Sequence, residues 1–189
     1  AKADELFQTV QNADKAEITE TKKRSPQSPG RLYDLTTLQR EANRLHHYPA
    51  SRTLQIAQSL YERHKVITYP RTDSKALPED YGPTCINLLE SISGELAPHA
   101  QKALQSNWVD EKNKKIFNNK QISDHFAIIP TSTSPAKLDA NERKIYNLIT
   151  KRFISVFYPP AQWDVTTRTS TLSGLDFKTE GRVLVEPSW

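Results

Sequence analysis

The most informative stretch of this chain lies in its first half and reads Ile67-Thr68-Tyr69-Pro70-Arg71-Thr72-Asp73-Ser74. Two β-branched residues followed by Tyr69 predict a short strand, which the proline ends. Side chains alternate along extended backbone, so Tyr69 and Arg71 are expected on the same side of the chain. Pro70 stiffens the backbone between them. The run therefore predicts a phenol and a guanidinium held side by side.

That pair is chemically suited to a phosphoryl transesterification. A tyrosine phenol has a pKa of about 10 and becomes a strong nucleophile only when it is deprotonated. Arginine carries a permanent charge and can hold phosphate oxygens through two parallel hydrogen bonds. Most tyrosines beside an arginine only pack or form hydrogen bonds, so residues 69–71 alone leave both interpretations open.

A second polar run begins downstream and reads Ile122-Ser123-Asp124-His125-Phe126-Ala127-Ile128-Ile129-Pro130-Thr131. His125 could donate a hydrogen bond to a phosphate or assist proton movement. A histidine that only stabilises a loop is the alternative interpretation. Ser123, Asp124 and His125 are consecutive, which does not make them a hydrolase triad, because triads are assembled from separated segments.

Helical patterns occupy the middle of the chain. Between residues 35 and 157, apolar residues recur at spacings of three and four, as they do in amphipathic helices. Thr36 and Gln39 have the spacing of a capping box at the start of the first of these helices. Asp139 and Glu142 give an acidic version of the same start for the last one.

The two ends of the chain have a strand-like pattern instead. Residues 16–21 alternate as a strand does and lead into residues 22–30, whose charges, prolines, serines and glycine are typical of a linker. Residues 163–185 contain β-rich runs around a Ser-Gly turn. We therefore predict an α+β fold in which a helical domain is inserted into a β-rich domain built from both ends.

Composition limits the possible functions. The 189 residues carry a net charge of +4, which permits nucleic-acid binding without establishing it. A single cysteine, Cys85, excludes an internal disulfide and is expected to be a buried structural thiol. The chain contains no run of eighteen apolar residues, which would predict a membrane span. It also contains no Walker loop, which would predict use of ATP.

Three segments taken together resemble type IA DNA topoisomerases. Residues 69–74 are similar to the active-site tyrosine motif of that family, residues 32–43 to the segment upstream of it, and residues 124–131 to its downstream histidine motif. The three segments occur in the order that the family has. The proline after the tyrosine and the isoleucine pair at 128–129 favour the bacterial topoisomerase III branch over the topoisomerase I branch.

The resemblance implies a role for each candidate residue. Tyr69 matches the nucleophile that forms a 5′-phosphotyrosine, and Arg71 matches the arginine that holds the scissile phosphate. His125 matches the histidine that contacts the DNA phosphate. Lys75 is a further candidate for DNA binding. Phe126 departs from the family pattern, in which a Glu or His often stands, and this argues against a polar role at that one position.

The resemblance also implies a domain organisation. Residues 31–133 are expected to form domain III, a helical and winged-helix-like module that carries Tyr69. Residues 1–30 and 134–189 are expected to be parts of the β-rich domain II. In the family, Mg²⁺ is bound by an N-terminal Toprim domain through an Asp-x-Asp-x-Glu cluster. No Asp-x-Asp occurs in this chain, so we expect no metal here and no DNA relaxation by this chain alone.

The implied reaction cuts one DNA strand, passes another strand through the gap and reseals the first without ATP. Single-stranded DNA is the expected partner, and no membrane partner is expected. The chain itself is expected to be monomeric. The parent enzyme is expected in the bacterial cytoplasm, associated with the nucleoid.

Three other interpretations compete with this one. A DNA-binding module without catalysis would use Arg71, Lys75 and a downstream cluster only to grip phosphates; the cluster comprises Lys112, Lys114, Lys115 and Lys120. A tyrosine recombinase would need a His-x-x-Arg motif before its tyrosine, and this chain has none. If the chain were a plain interaction domain, the occurrence of the three motifs in the order of the family would be a coincidence.

Overall fold

The computed structural model of the chain describes residues 2–13 and 15–189, so residues 1 and 14 of the predicted segment 1–30 lie outside the described residues. Within those ranges the helices and strands are α1 Lys2–Gln11, β1 Glu17–Gln27, α2 Leu35–His46, α3 Ala50–Glu62, α4 Gly82–Ser91, α5 Ala97–Gln105, α6 Ala140–Ser155, β2 Ala161–Leu172 and β3 Leu175–Glu186. None of these helices is long and apolar enough to cross a membrane.

The chain divides into two compact units. The helical unit comprises Pro29–Pro159 together with Trp189, and it contains α2 to α6. The sheet unit combines the residues up to Ser28 with Pro160–Ser188, and it contains α1 and the three strands. The helical unit thus includes α6 and extends past residue 133, where the sequence placed the end of domain III. The assignment of the units to domains II and III stays a prediction.

The sheet unit contains an antiparallel sheet in the order β1-β2-β3. β1 pairs with β2 from Glu17 opposite Thr171 to Gln27 opposite Ala161. This pairing confirms that strands from both ends of the chain share one sheet. β2 and β3 form a hairpin whose turn, at Ser173 and Gly174, has positive φ angles of 49° and 78°.

The predicted linker over residues 22–30 is wrong in its first part, because β1 continues to Gln27. Two cross-strand ion pairs stabilise this stretch: Asp164 lies 3.1 Å from Lys22 Nζ and 2.8 Å from Arg24 Nε. Pro26 is compatible with pairing because β1 is an edge strand of this sheet and a missing N–H can face outward there. The charged residues that suggested a linker therefore serve as strand contacts.

The core of the helical unit consists of two apolar clusters, and α6 contributes to both. Ile145 and Ile149 belong to the cluster formed with α2 and α3. Phe153 belongs to the cluster formed with α4 and α5, which also contains the buried Cys85. Cys85 is fully buried, which confirms the prediction of a buried thiol, and this burial raises the pKa of the thiol to about 12.

The caps of two helices test the sequence patterns directly. At α6 the predicted capping box is confirmed: Asp139 Oδ1 accepts from the Glu142 N–H at 2.8 Å, and Glu142 Oε2 accepts from the Asp139 N–H at 3.0 Å. At α2 the predicted cap at Thr36 is wrong. Asp34 caps the helix and accepts from the Thr37 N–H at 2.7 Å, because the helix begins at residue 35.

Candidate active site

The backbone around Tyr69 is held by the segment that follows the second motif. The short strand predicted before Pro70 is wrong, because Ile67 forms only an isolated bridge with Pro130. The Thr68 N–H donates to the carbonyl of Ile129 at 3.0 Å, and the Thr68 hydroxyl donates to the carbonyl of Ala127 at 2.9 Å. The tyrosine motif and the histidine motif, more than fifty residues apart in the sequence, are thus fixed against each other.

Burial alternates along the tyrosine motif. Pro70, Thr72 and Ser74 are buried in the helical unit. Arg71 is exposed and Tyr69 is half-buried. This is the period-two alternation that the sequence predicts, and it leaves the phenol and the guanidinium on the accessible side of the segment.

Tyr69 is the centre of a small aromatic group. Its ring centroid lies 4.3 Å from that of His125, with the two planes at 45°. Tyr61, on α3, meets the Tyr69 ring edge-on at 5.4 Å. The Thr72 hydroxyl donates to the carbonyl of His125 at 2.8 Å and so fixes the backbone of the exposed histidine. The structure therefore brings Tyr69 and His125 into direct contact.

Arg71 is held by a neutral side chain. The terminal amide of Gln58 faces Nη2 of Arg71 at 2.9 Å and its Nε at 3.2 Å. Both arginine atoms are donors, so the amide oxygen must be the atom that faces them. In the described ranges 2–13 and 15–189, Arg71 forms no ion pair with a carboxylate. Its positive charge is therefore available to an incoming anion.

Lys75 has a different environment. Its Nζ lies 3.5 Å from Oδ2 of Asp34, the residue that caps α2. Lys75 is half-buried, and the carboxylate partly neutralises its charge. Lys75 is consequently a weaker candidate for phosphate contact than Arg71. Among the downstream lysines, Lys114 pairs with Glu79 at 3.1 Å and all four are exposed.

Sequence reasoning missed Gln58 and Tyr61. The two residues are three positions apart on α3, so they lie on one face of that helix. They flank Ala57 and Leu60, which belong to the buried stripe of α3. A polar residue at the edge of an apolar stripe is a signal for a contact, but only the fold identifies Arg71 and Tyr69 as the partners.

Phe126, the position that departs from the family pattern, has a packing role. Its ring lies 5.0 Å from that of Tyr81, and it packs against the apolar cluster that contains Phe117 and Phe153. This packing explains how an apolar residue is tolerated beside His125.

No group of three or more His, Cys, Asp or Glu side chains that could hold a metal ion occurs in residues 2–13 and 15–189. Two carboxylates close in sequence to the candidate residues have partners: Asp34 contacts Lys75, and Asp73 accepts from the Ser123 hydroxyl at 3.3 Å.

Comparison with known proteins identifies the family of the chain. The family model described as DNA topoisomerase matches residues 1–189, the full length of the chain. The chain therefore belongs to the type IA DNA topoisomerase family. The tyrosine motif, the histidine motif and the helices that hold them are all within the matched region.

Within that family the chain is similar to enzymes named DNA topoisomerase 3. It is 41% identical to the enzyme of Bacillus cereus over 182 residues and 40% identical to that of Bacillus subtilis over 177 residues. These alignments cover 95% and 92% of the chain but 24% of each relative, so the chain spans about a quarter of their length.

A solved structure supports the same fold. The chain resembles full-length topoisomerase I of Thermotoga maritima with a TM-score of 0.60 and 25% sequence identity. The match covers 97% of this chain and 30% of that one. The combination of helices with a three-stranded sheet is thus an α+β architecture of the type IA topoisomerases.

Proposed function

We propose that this chain provides the nucleophile of a type IA DNA topoisomerase of the topoisomerase III kind. The Tyr69 hydroxyl oxygen attacks a backbone phosphate of one DNA strand. The bond between that oxygen and phosphorus forms, and the bond between phosphorus and the 3′ oxygen breaks. The phenol loses a proton, the departing 3′ oxygen gains one, and the 5′ phosphate remains on Tyr69. Attack by the 3′ hydroxyl reverses these steps and reseals the strand.

The observation that carries this proposal is the contact between the rings of Tyr69 and His125, at 4.3 Å between centroids. The two residues come from separate motifs, and Arg71 lies on the accessible side of the tyrosine motif. A phosphate at the phenol oxygen would be near a permanent cation and a potential donor. Groups held in place before reaction can stabilise charge that develops in the transition state.

Each of the three residues has a distinct task in this proposal. Arg71 holds nonbridging oxygens of the scissile phosphate, since its charge has no carboxylate partner in the described part of the chain. His125 donates to the same phosphate or guides a proton, and its exposed ring leaves room for either task. Lys75 adds a weaker phosphate contact because Asp34 already shares its charge.

The same proposal covers the reaction of the longer enzyme. Single-stranded DNA is its substrate, and the phosphotyrosine conserves the energy of the broken bond, so no ATP is consumed. Strand passage requires parts beyond this chain, as does Mg²⁺, which the Toprim domain of the family holds. In this proposal residues 31–133 form domain III, and residues 1–30 and 134–189 belong to domain II. The enzyme acts in the cytoplasm on the nucleoid.

The test is Tyr69→Phe in the full-length enzyme that contains this segment. We expect no covalent attachment to labelled single-stranded DNA after denaturation, with DNA binding unchanged. The substitution removes the attacking oxygen and keeps the ring that packs on His125 and Tyr61, so the fold is preserved. Tyr61→Phe is the matched control and should attach DNA normally. Attachment that survives in Tyr69→Phe would refute the proposal.

A further inference from the structure

We infer that Gln58 is a positioning residue, which orients the guanidinium of Arg71 so that its free end points at the scissile phosphate. This inference rests on the proposed function, in which Arg71 holds that phosphate. Gln58 lies on α3, outside both sequence motifs. Its contribution to the reaction is made through Arg71 and not through the DNA.

Gln58 contacts one edge of the Arg71 guanidinium and leaves another edge for the phosphate. The Gln58 amide oxygen accepts from Nη2 at 2.9 Å and from Nε at 3.2 Å. These bonds occupy one edge of the planar group. The N–H groups of Nη1 and Nη2 at the other end lie in the same plane and remain available as donors. Together they can form two parallel hydrogen bonds to two oxygens of a phosphate. Gln58 therefore fixes the plane of the Arg71 guanidinium and the direction in which its Nη1 and Nη2 donors point.

The neutrality of Gln58 matters as much as its position. A carboxylate at the same place would hold Arg71 equally well but would compensate the charge that the phosphate needs. Lys75 illustrates the difference, since its ammonium is 3.5 Å from the carboxylate of Asp34. An amide fixes the orientation of a cation and leaves its charge intact.

A buried polar network fixes α3, and with it Gln58. The hydroxyl of Ser59, the next residue, donates to Glu142 Oε1 at 2.7 Å. His64, just beyond the end of α3, contacts the Glu142 carboxylate at 3.0 Å. Glu142 is only 7% exposed and belongs to the capping box of α6. The helix is thus anchored by hydrogen bonds immediately beside Gln58.

The test uses single-turnover cleavage of labelled single-stranded DNA by the full-length enzyme. Gln58→Leu removes the acceptor at similar volume, and we expect cleavage at saturating DNA to slow about 10-fold, the size of one hydrogen bond to a charged group. The DNA dissociation constant should change less than about 2-fold, because the charge of Arg71 remains. Gln55→Leu is the matched control on α3, where Gln55 is exposed and accepts from Arg52.

Two further variants separate orientation from general damage to the fold. In an Arg71→Ala background, Gln58→Leu should cause no additional loss, since the group that it orients is gone. Gln58→Glu keeps the acceptor, so cleavage at saturating DNA should exceed that of Gln58→Leu, while the added negative charge should weaken DNA binding. This variant also tests the inference if Gln58→Leu does not fold.

The outcomes distinguish the inference from the proposed function. Cleavage by Gln58→Leu at the normal rate, or an equal loss with and without Arg71, would overturn the role of Gln58 and leave Tyr69 as the nucleophile. Attachment of DNA in Tyr69→Phe, measured in parallel, would instead overturn the proposed function itself.

Discussion

The two units of this chain are stabilised by different interactions. The helical unit contains nearly all of the buried apolar side chains, including the fully buried Tyr33, Phe117 and Phe153. In the described part of the sheet unit the one buried apolar residue is Ala161, while side chains such as Phe177 and Val183 are exposed. Strand pairing and surface ion pairs fix the sheet, whereas close packing fixes the helices. Every candidate catalytic residue lies in the packed unit, where side chains can be held in a defined geometry.

The largest expected difference between the units comes from removing one phenylalanine from each. Phe117→Ala deletes a ring with 0% exposure and should lower the free energy of unfolding of the 189-residue chain by about 3–5 kcal/mol. Phe177→Ala, at 45% exposure, should change it by less than about 0.5 kcal/mol. Urea denaturation followed by helical circular dichroism measures both. Similar losses in the two variants would contradict the contrast between the units.

A smaller difference is expected from adding one methyl group to a glycine in each unit. A Cβ at Gly30 would overlap the Arg152 guanidinium, which donates to the carbonyl of Arg31 at 2.9 Å and to Glu41 at 2.6 Å. Gly30→Ala should therefore cost about 1–3 kcal/mol, as overpacking that also disturbs charged hydrogen bonds does. Gly181 in β3 has no atom within 4 Å of such a Cβ, so Gly181→Ala is the control and should be nearly neutral. Equal melting temperatures for the two variants would argue against a fixed Arg152.

The smallest expected difference between the units is in how the free energy of unfolding responds to low pH. Burial raises the pKa of Glu142, but the N–H of Asp139, the Ser59 hydroxyl and the His64 ring outweigh burial and hold that pKa below its usual value. A carboxyl whose folded pKa lies below its unfolded value stabilises the fold above the unfolded pKa, about 4.3, and loses that contribution as the pH falls through the folded pKa.

The free energy of unfolding of the helical unit should therefore fall on acidification below about pH 4. Glu142→Gln should make that fall shallower. The carboxyl of Asp164 in the sheet also has a lowered pKa, through Lys22 and then Arg24, but its ion pairs are at the surface. Asp164→Asn should leave the slope of the helical signal against pH unchanged. An unaltered slope in Glu142→Gln would show that the buried network does not depend on this charge.

Local patterns predicted well where the interacting residues are close in sequence. The capping box of Asp139 and Glu142 involves neighbouring residues, and the alternation around Arg71 follows from extended backbone alone. The linker over residues 22–30 was mispredicted because the partner of Lys22 is Asp164, more than a hundred residues away. Sequence reasoning missed Gln58 because its contact with Arg71 is also tertiary. Only the packing of α3 brings the Gln58 amide to Arg71.

The identity of the nucleophile is the central claim, and mapping the covalent adduct tests it most directly. The chain has seven tyrosines. The ring of Tyr61 lies 5.4 Å from that of Tyr69, so Tyr61 is the alternative nucleophile within the site. Denaturing the full-length enzyme during cleavage of single-stranded DNA, followed by proteolysis and mass spectrometry, identifies the attached peptide. The account predicts a phosphotyrosyl linkage at Tyr69 alone. Linkage at Tyr61 or Tyr81, or at no tyrosine of this chain, would contradict it.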